Sequence, residues 1–220
     1  MNELRAHLRG RTGLSESGVE VGDSTYHILH PASADALLDE ADFERDERLP
    51  YWAELWPSAI ALARYISREN LAGRRAIELG CGVGLPTVVV LSRGAKVLAT
   101  DYHEAALDFA AHNARINVGR RPETTLLDWH APEAERLGTF DLVFAADVLY
   151  ERRNVPALAK LVPGLLEPDG EAIFADPRRR DAPLFLELMD KRGFENEMQD
   201  MMVEQAGREV RVLVHRLRCR

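Results

Sequence analysis

From the Ala72-Gly73 break onward, short apolar runs alternate with segments whose apolar residues recur at helical spacing. Arg75–Leu79, Lys96–Thr100, Thr124–Leu127, Phe140–Ala145 and Glu171–Ala175 read as strands. Leu85–Ser92, with Pro86 in its first turn, Glu104–Asn117, Val155–Leu166 and Pro183–Lys191 read as the intervening helices. An earlier helix covers Leu55–Ile66, with Pro57 in its first turn. Strands separated by helices of this length imply right-handed crossovers and a mostly parallel sheet covered on both faces. The tail, Glu195–Val203 and Val210–Leu217, lacks an intervening helix and turns near Ala206-Gly207, which predicts an antiparallel strand at the end of that sheet. The expected fold is α/β, a Rossmann-like doubly wound sheet of seven mostly parallel strands with an antiparallel C-terminal strand.

The N-terminal part has a different texture. The first 15 or so residues are polar and rich in Gly and Arg, so they are expected to be poorly ordered. Val19–Leu29 reads as two short strands around the Gly22-Asp23 turn, and Pro31–Arg48 as an acidic loop with a short helix. Residues 1–48 therefore form an extension with a β-hairpin, and residues 49–220 the α/β domain.

Composition narrows the function classes. With 28 basic against 36 acidic residues the net charge is −8, which argues against a nonspecific nucleic-acid binder. The two cysteines, Cys81 and Cys219, make no metal-ligand spacing and suggest no disulfide framework, although a single bridge between them stays open. Met1–Gly22 has no apolar secretory core, and no window reaches the roughly 20 apolar residues of a membrane span. A cytoplasmic protein without a membrane association is expected.

The strongest chemical signal is Glu78-Leu79-Gly80-Cys81-Gly82-Val83-Gly84, between the first strand of the alternating pattern and its helix. Such a turn lies at the carboxyl edge of a doubly wound sheet, where ligands bind. Taken alone it is equally a tight structural turn. Three more acids, Asp101, Asp128 (followed by Trp129) and Asp147, fall at or just past successive strand ends. Each singly reads as a helix cap or loop acid, but together they line one edge of the sheet. A dinucleotide fingerprint would need glycine at position 85, where Leu85 stands, and there is no Gly-Lys-Ser/Thr phosphate loop. The ligand is then a nucleoside without pyrophosphate whose cationic amino-acid tail suits a nearby acid. S-adenosyl-L-methionine fits that description.

These motifs, with Asp147-Val148-Leu149-Tyr150, resemble the class I, seven-β-strand methyltransferases, and within them the family 16 lysine methyltransferases, whose Asp-x-x-Tyr motif is matched by Asp147 and Tyr150. Pro50–Ser58 and Ala175–Arg178 bring the chain near the electron-transfer-flavoprotein β-subunit lysine methyltransferases and their nicotinamide N-methyltransferase-like bacterial relatives. The resemblance covers about Leu49–Arg180. It implies that Glu78, Gly80 and Gly82 line the methionine part of the cofactor, with Cys81 and Gly84 completing that turn. Asp101 would bind the ribose and Tyr102 lie near the adenine, while Asp128 and Trp129 flank the base and Ala146 contacts the cofactor. Trp56 would stand near the cofactor and substrate channel with Trp52 close by, although both also read as anchors docking the leading helix. Asp147 and Tyr150 are the implied catalytic residues, and the implied partner is a protein, with the electron-transfer flavoprotein β-subunit as the named candidate.

Methyl transfer to a lysine needs the neutral amine, which costs roughly 4–5 kcal/mol near pH 7 from a pKa of about 10.4. Asp147 is expected to orient that amine and join in its deprotonation through water, and Tyr150 to bond or pack against it. The absence of Asn/Asp-Pro-Pro-Tyr after the fourth strand lowers a nucleobase acceptor. Two alternatives stay open: a small-molecule N-methyltransferase with its pocket capped by Val19–Arg48, and a noncatalytic cofactor-binding interaction protein. Arg178, Arg179 and Arg180 read as a solvated basic loop.

Overall fold

The computed structural model of the chain describes every residue except 39–48, 132–133 and 206. Most of the expected acidic loop and half of the expected Ala206-Gly207 turn lie outside the described residues. Within them the order is α1 (Asn2–His7), β1 (Leu14–Val21), β2 (Ser24–Pro31), α2 (Pro57–Ile66), β3 (Arg75–Leu79), α3 (Leu85–Ser92), β4 (Lys96–Asp101), α4 (Glu104–Val118), β5 (Glu123–Leu126), α5 (Ala134–Leu137), β6 (Phe140–Ala146), α6 (Asn154–Leu165), β7 (Leu166–Asp176), α7 (Ala182–Asp190), β8 (Phe194–Gln205) and β9 (Arg208–Cys219). Short 3-10 turns cover Asp35–Leu37 and Tyr51–Ala53.

The seven-stranded sheet runs β5-β4-β3-β6-β7-β9-β8. Strands β3 to β7 pair in parallel, and β9 is antiparallel to both of its neighbours. The antiparallel strand therefore lies one place inside the sheet edge, which β8 occupies, rather than at the end. A hairpin can dock either arm against β7. Here β9 carries the apolar Val212, Val214 and Leu217, all buried, whereas β8 is largely exposed and belongs at the edge.

Central strands are buried on both faces, so they read as continuous apolar runs, yet their alternation still sorts residues by side. Leu142, Phe144, Ile173 and Ala175 join one apolar cluster with α2 and α3, and Val143, Ala145, Ala172 and Phe174 join another with α6 and α7. Ile77 and Leu79 belong to the second cluster, so the intervening Glu78 turns to the α3 side, where the Thr87 hydroxyl meets it.

The N-terminal segment is more ordered than its composition suggests. Leu4 of α1 and Leu8 at its C-cap bury against Phe109 of α4, and His7 lies 2.7 Å from Asp108. Polar composition hid this, because two leucines at i and i+4 suffice for a one-turn apolar stripe. The hairpin β1–β2 has longer strands than expected, and Val21 pairs with Ser24 across the Gly22-Asp23 turn. Strand β2 is held to α4 by two carboxamides. Asn113 accepts from Leu29 N–H (2.9 Å) and donates to Leu29 O (2.8 Å), and Asn117 does the same at His27, both at 2.8 Å. Four helical residues advance about 6 Å and two strand residues about 6.6 Å, so asparagines at i and i+4 imitate a neighbouring strand.

Candidate active site

After β3 the chain winds outward through β4 and β5, then returns to place β6 on the other side of β3. That reversal opens a crevice beyond the carboxyl ends of β3 and β6, the position where open α/β sheets bind ligands. The cleft there has about 970 Å³ of free space, part of it open to solvent. Trp56, Glu78, Gly80, Cys81, Gly82, Gly84, Asp101, Tyr102, Asp128, Trp129, Ala146, Asp147 and Tyr150 all line it. Trp52 and Tyr51 do so as well.

One half of the cleft is made of backbone and carboxylates. The turn after β3 is pinned where the N–H groups of Gly80 and Cys81 both donate to Thr100 O, each at 2.9 Å. Gly80, Gly82 and Gly84 all have positive φ, but their crowding differs. A Cβ on Gly80 would stand 3.2 Å from the Trp129 ring, and one on Gly82 3.3 Å from Trp52 O. On Gly84 it would fall 2.6 Å from both Cα and Cβ of Ala110. Gly84 thus serves the close approach of α3 to α4. The Cys81 side chain joins an apolar cluster with Ala99, Leu107 and Ala110, and burial pushes its thiol well up, so it offers no thiolate nucleophile.

The acids of this half are held on the turn itself. Asp101 accepts Gly82 N–H at 3.0 Å on one oxygen and His103 N–H at 2.9 Å on the other, locking two loops together. Burial raises its pKa, and those bonds from His103 and Gly82 oppose the rise. Each carboxylate oxygen keeps a further acceptor site for a ligand hydroxyl. Glu78 is 1% exposed. Burial pushes its carboxyl well above the usual range, opposed by hydrogen bonds from Thr87. An ammonium partner would favour the ionised form. Asp128 accepts His130 N–H at 2.9 Å, and the adjacent Trp129 Nε1 is buried with no hydrogen-bond partner among the described residues. A buried indole N–H left open, glycines at close approach and two buried acids fit an amino-acid-bearing nucleoside such as S-adenosylmethionine. No cluster of metal-ligating side chains occurs among the described residues.

The other half is made of side chains. Asp147 has φ +56 and is buried, and its N–H donates to Ala175 O at 2.9 Å. Arg179 Nε and Nη2 donate to its two oxygens at 2.7 and 3.0 Å. The basic run 178–180 is therefore not a uniformly solvated loop: Arg178 and Arg180 are exposed, but Arg179 is half-buried in this ion pair. The Arg179 N–H donates at 2.8 Å to Asp176, a carboxylate 1% exposed whose other oxygen has no partner among the described residues. Burial, aided by the nearby Asp147 charge, pushes Asp176 up to about 6. An aromatic wall stands alongside. The Arg179 guanidinium lies 5.9 Å from the Trp56 ring, the Trp56 indole donates to Tyr51 O at 2.8 Å, and the Tyr51 and Tyr150 rings meet edge-on at 5.1 Å. Trp52 packs against Phe109 and His103, so it anchors the leading segment while also lining the cleft. Tyr51, Asp176 and Arg179 are the residues that sequence reasoning did not assign to the site. Ala175-Asp176-Pro177-Arg178 was a visible motif, but nothing in it shows that the next arginine turns inward.

Known proteins resemble this chain in sequence and in fold. A lysine methyltransferase family model matches residues 40–192. Histone-arginine methyltransferase METTL23 of Xenopus laevis is 27% identical over 165 residues, 72% of this chain and 70% of that protein. Protein N-lysine methyltransferase METTL21A of Danio rerio is 32% identical over 155 residues, 64% of this chain and 69% of that protein. The chain thus spans about 70% of the length of each of these relatives. The crystal structure of magnesium protoporphyrin IX methyltransferase (ChlM) from Synechocystis PCC 6803 with bound SAM shares the fold. Its TM-score is 0.57 at 20% identity, covering 82% of this chain and 86% of that one. With the family model spanning more than half of its residues, the chain belongs to the lysine methyltransferase family of S-adenosylmethionine-dependent methyltransferases.

Proposed function

We propose that this protein transfers a methyl group from S-adenosylmethionine to the side-chain amine of a lysine in a protein substrate. The observation that carries this reading is the convergence of Asp147 and Tyr150 on the cleft that also holds the Glu78–Gly84 turn and Asp101. When bound, S-adenosylmethionine supplies an electrophilic methyl group on a sulfonium. Glu78, Asp101, Asp128 and Trp129 are assigned to hold it, with the backbone of the glycine turn closing around its amino-acid end.

The acceptor half positions the amine. Both Asp147 oxygens already accept from Arg179, and each retains a lone pair for an amine hydrogen. Asp147 thus orients the nitrogen, which arrives as an ammonium and loses one proton to water beside that carboxylate before transfer, while the Tyr51–Tyr150–Trp56 wall gives the cation aromatic faces to rest against. Orientation of this kind supplies much of the rate in a displacement that needs collinear partners.

A protein acceptor is supported by the two relatives, one a protein N-lysine methyltransferase and the other a histone-arginine methyltransferase. Among proteins, the electron-transfer flavoprotein β-subunit is the first candidate, on the resemblance of Pro50–Ser58 and Ala175–Arg178. We place the reaction in the cytoplasm, a setting supported by the two free cysteines. No helix among the described residues is long and apolar enough to cross a membrane.

Incubation with methyl-labelled S-adenosylmethionine and a lysate of the source, beside the purified flavoprotein subunit, tests the reading. Labelled protein bands whose hydrolysate contains methyl-lysine are expected. Methylarginine or methylhistidine would reassign the acceptor, label in small metabolites would overturn the protein substrate, and no transfer would overturn the enzyme reading.

A further inference from the structure

Among the described residues only Arg9, Asp147 and Arg178 are non-glycine residues with positive φ. Two of the three sit just past the ends of neighbouring strands β6 and β7, on either side of one ion pair. Such conformations are costly for residues with a Cβ and persist where the surroundings over-determine them. Here the surroundings are Arg179 and Asp176. Arg178 turns the chain so that the Arg179 N–H reaches Asp176 (2.8 Å), and the Arg179 side chain reaches back to both oxygens of Asp147 (2.7 and 3.0 Å).

We propose that Arg179, braced by Asp176, is a positioning residue that fixes the Asp147 carboxylate against the aromatic wall for an acceptor that arrives as an alkylammonium. This rests on the lysine-acceptor reading above. The bond pattern is side-on, through Nε and one terminal nitrogen, which aligns a planar carboxylate as no lysine can. The same guanidinium lies over Trp56, whose indole bond to Tyr51 O ties the wall to the ion pair. With both acids ionised, Asp147, Asp176 and Arg179 carry one net negative charge, the complement of one incoming ammonium. The buried Asp176 oxygen, without a partner among the described residues, marks this as an arrangement costing stability, a cost that surface stabilisation does not require.

The test uses the full chain with S-adenosylhomocysteine bound and n-butylammonium, the head of a lysine side chain, as probe. In arginine-labelled protein, n-butylammonium should shift the Arg179 Nε–H resonance saturably, and n-butanol should not. Arg179→Ala should retain S-adenosylhomocysteine affinity within about twofold but transfer label to protein at least about tenfold more slowly, the scale of a slightly misplaced reacting group. Millimolar guanidinium should recover part of that loss and ammonium none, and Arg179→Lys should stay impaired. Wild-type rates in Arg179→Ala or full activity in Arg179→Lys would overturn the proposal, as would an Nε–H signal indifferent to n-butylammonium. If Arg179→Ala fails to fold, Arg179→Lys and the wild-type resonance decide. If the wild type transfers no label, the lysine reading fails, and the positioning role stands or falls on the resonance alone.

Discussion

The half of the cleft proposed for the methyl donor draws on residues 78–84 and on single acids at the end of β4 and after β5, whereas the half proposed for the acceptor is lined by Tyr51, Trp56, Asp147 and Tyr150, with Asp176 and Arg179 standing behind Asp147, from three separated segments. In the first, the N–H groups of Gly80 and Cys81 donate to Thr100 O and that of Gly82 to Asp101, bonds that the fold would need in nearly the same place without a ligand. In the second, Arg179 holds Asp147 and the aromatic rings lean on one another, and the backbone itself is strained at Asp147 and Arg178. Damage to the donor half should therefore propagate into the fold. Damage to the acceptor half should leave the fold and cofactor binding nearly intact.

The sharpest way to break that contrast is Gly84→Ala. Its Cβ would meet Ala110 at 2.6 Å at φ +85, so a loss of about 3 kcal/mol or more in a urea melt is expected. An unchanged melt would show that α3 and α4 separate freely. Asp147→Ala should do the reverse, lowering label transfer roughly 100-fold while S-adenosylhomocysteine binding by calorimetry stays within about twofold. Coupled losses of binding and transfer would merge the two halves.

Glu78 sharpens the donor side. Burial holds its carboxyl protonated to an unusually high pH in the free protein, and a cationic amino group would favour the ionised form. Ligand binding should then release protons and tighten as pH rises towards the raised pKa, flattening above it. Calorimetry in buffers of different ionisation enthalpy measures this. Glu78→Gln should abolish the release and weaken binding roughly 10- to 100-fold.

Asp176 gives a smaller effect of opposite sign on stability. Its folded pKa, about 6, exceeds the ordinary 3.8, so the folded state binds more protons between those values and stability falls as pH rises through that window. Asp176→Asn should therefore stabilise the protein above pH 6 and lose the gain below about pH 4. A gain of about 1–2 kcal/mol is expected, below the roughly 3 kcal/mol of the whole shift, because Arg179 loses a counter-charge. A pH-independent melt difference would remove the assignment. Tyr150→Phe keeps the ring contact with Tyr51 and should cost transfer only about 2- to 10-fold, the worth of one hydroxyl bond.

Legibility followed the same division. Arg75–Leu79 and Leu85–Ser92 have the same limits in sequence and structure, because a fully buried strand and an apolar helix separated by glycines leave few alternatives. The Glu78–Gly84 turn was legible for a related reason: its chemistry is contiguous, and only glycine accepts the φ values and the approach to Ala110. Leu4 and Leu8 were missed because their partner, Phe109, lies about a hundred residues away. Arg179 was missed likewise. In sequence it is the middle of three arginines, and nothing local separates it from Arg178 and Arg180.

The alternating architecture, the Glu78–Gly84 turn and the row of acids at the strand ends were legible in the chain alone, since each depends on local periodicity or backbone geometry. Tertiary structure alone decided that β9 rather than β8 docks on β7, that Asp101 also locks the turn it faces, and that Arg179 claims both oxygens of Asp147. Those outcomes depend on which buried charges and apolar faces meet across the sheet, a competition between distant groups that no short window of sequence contains.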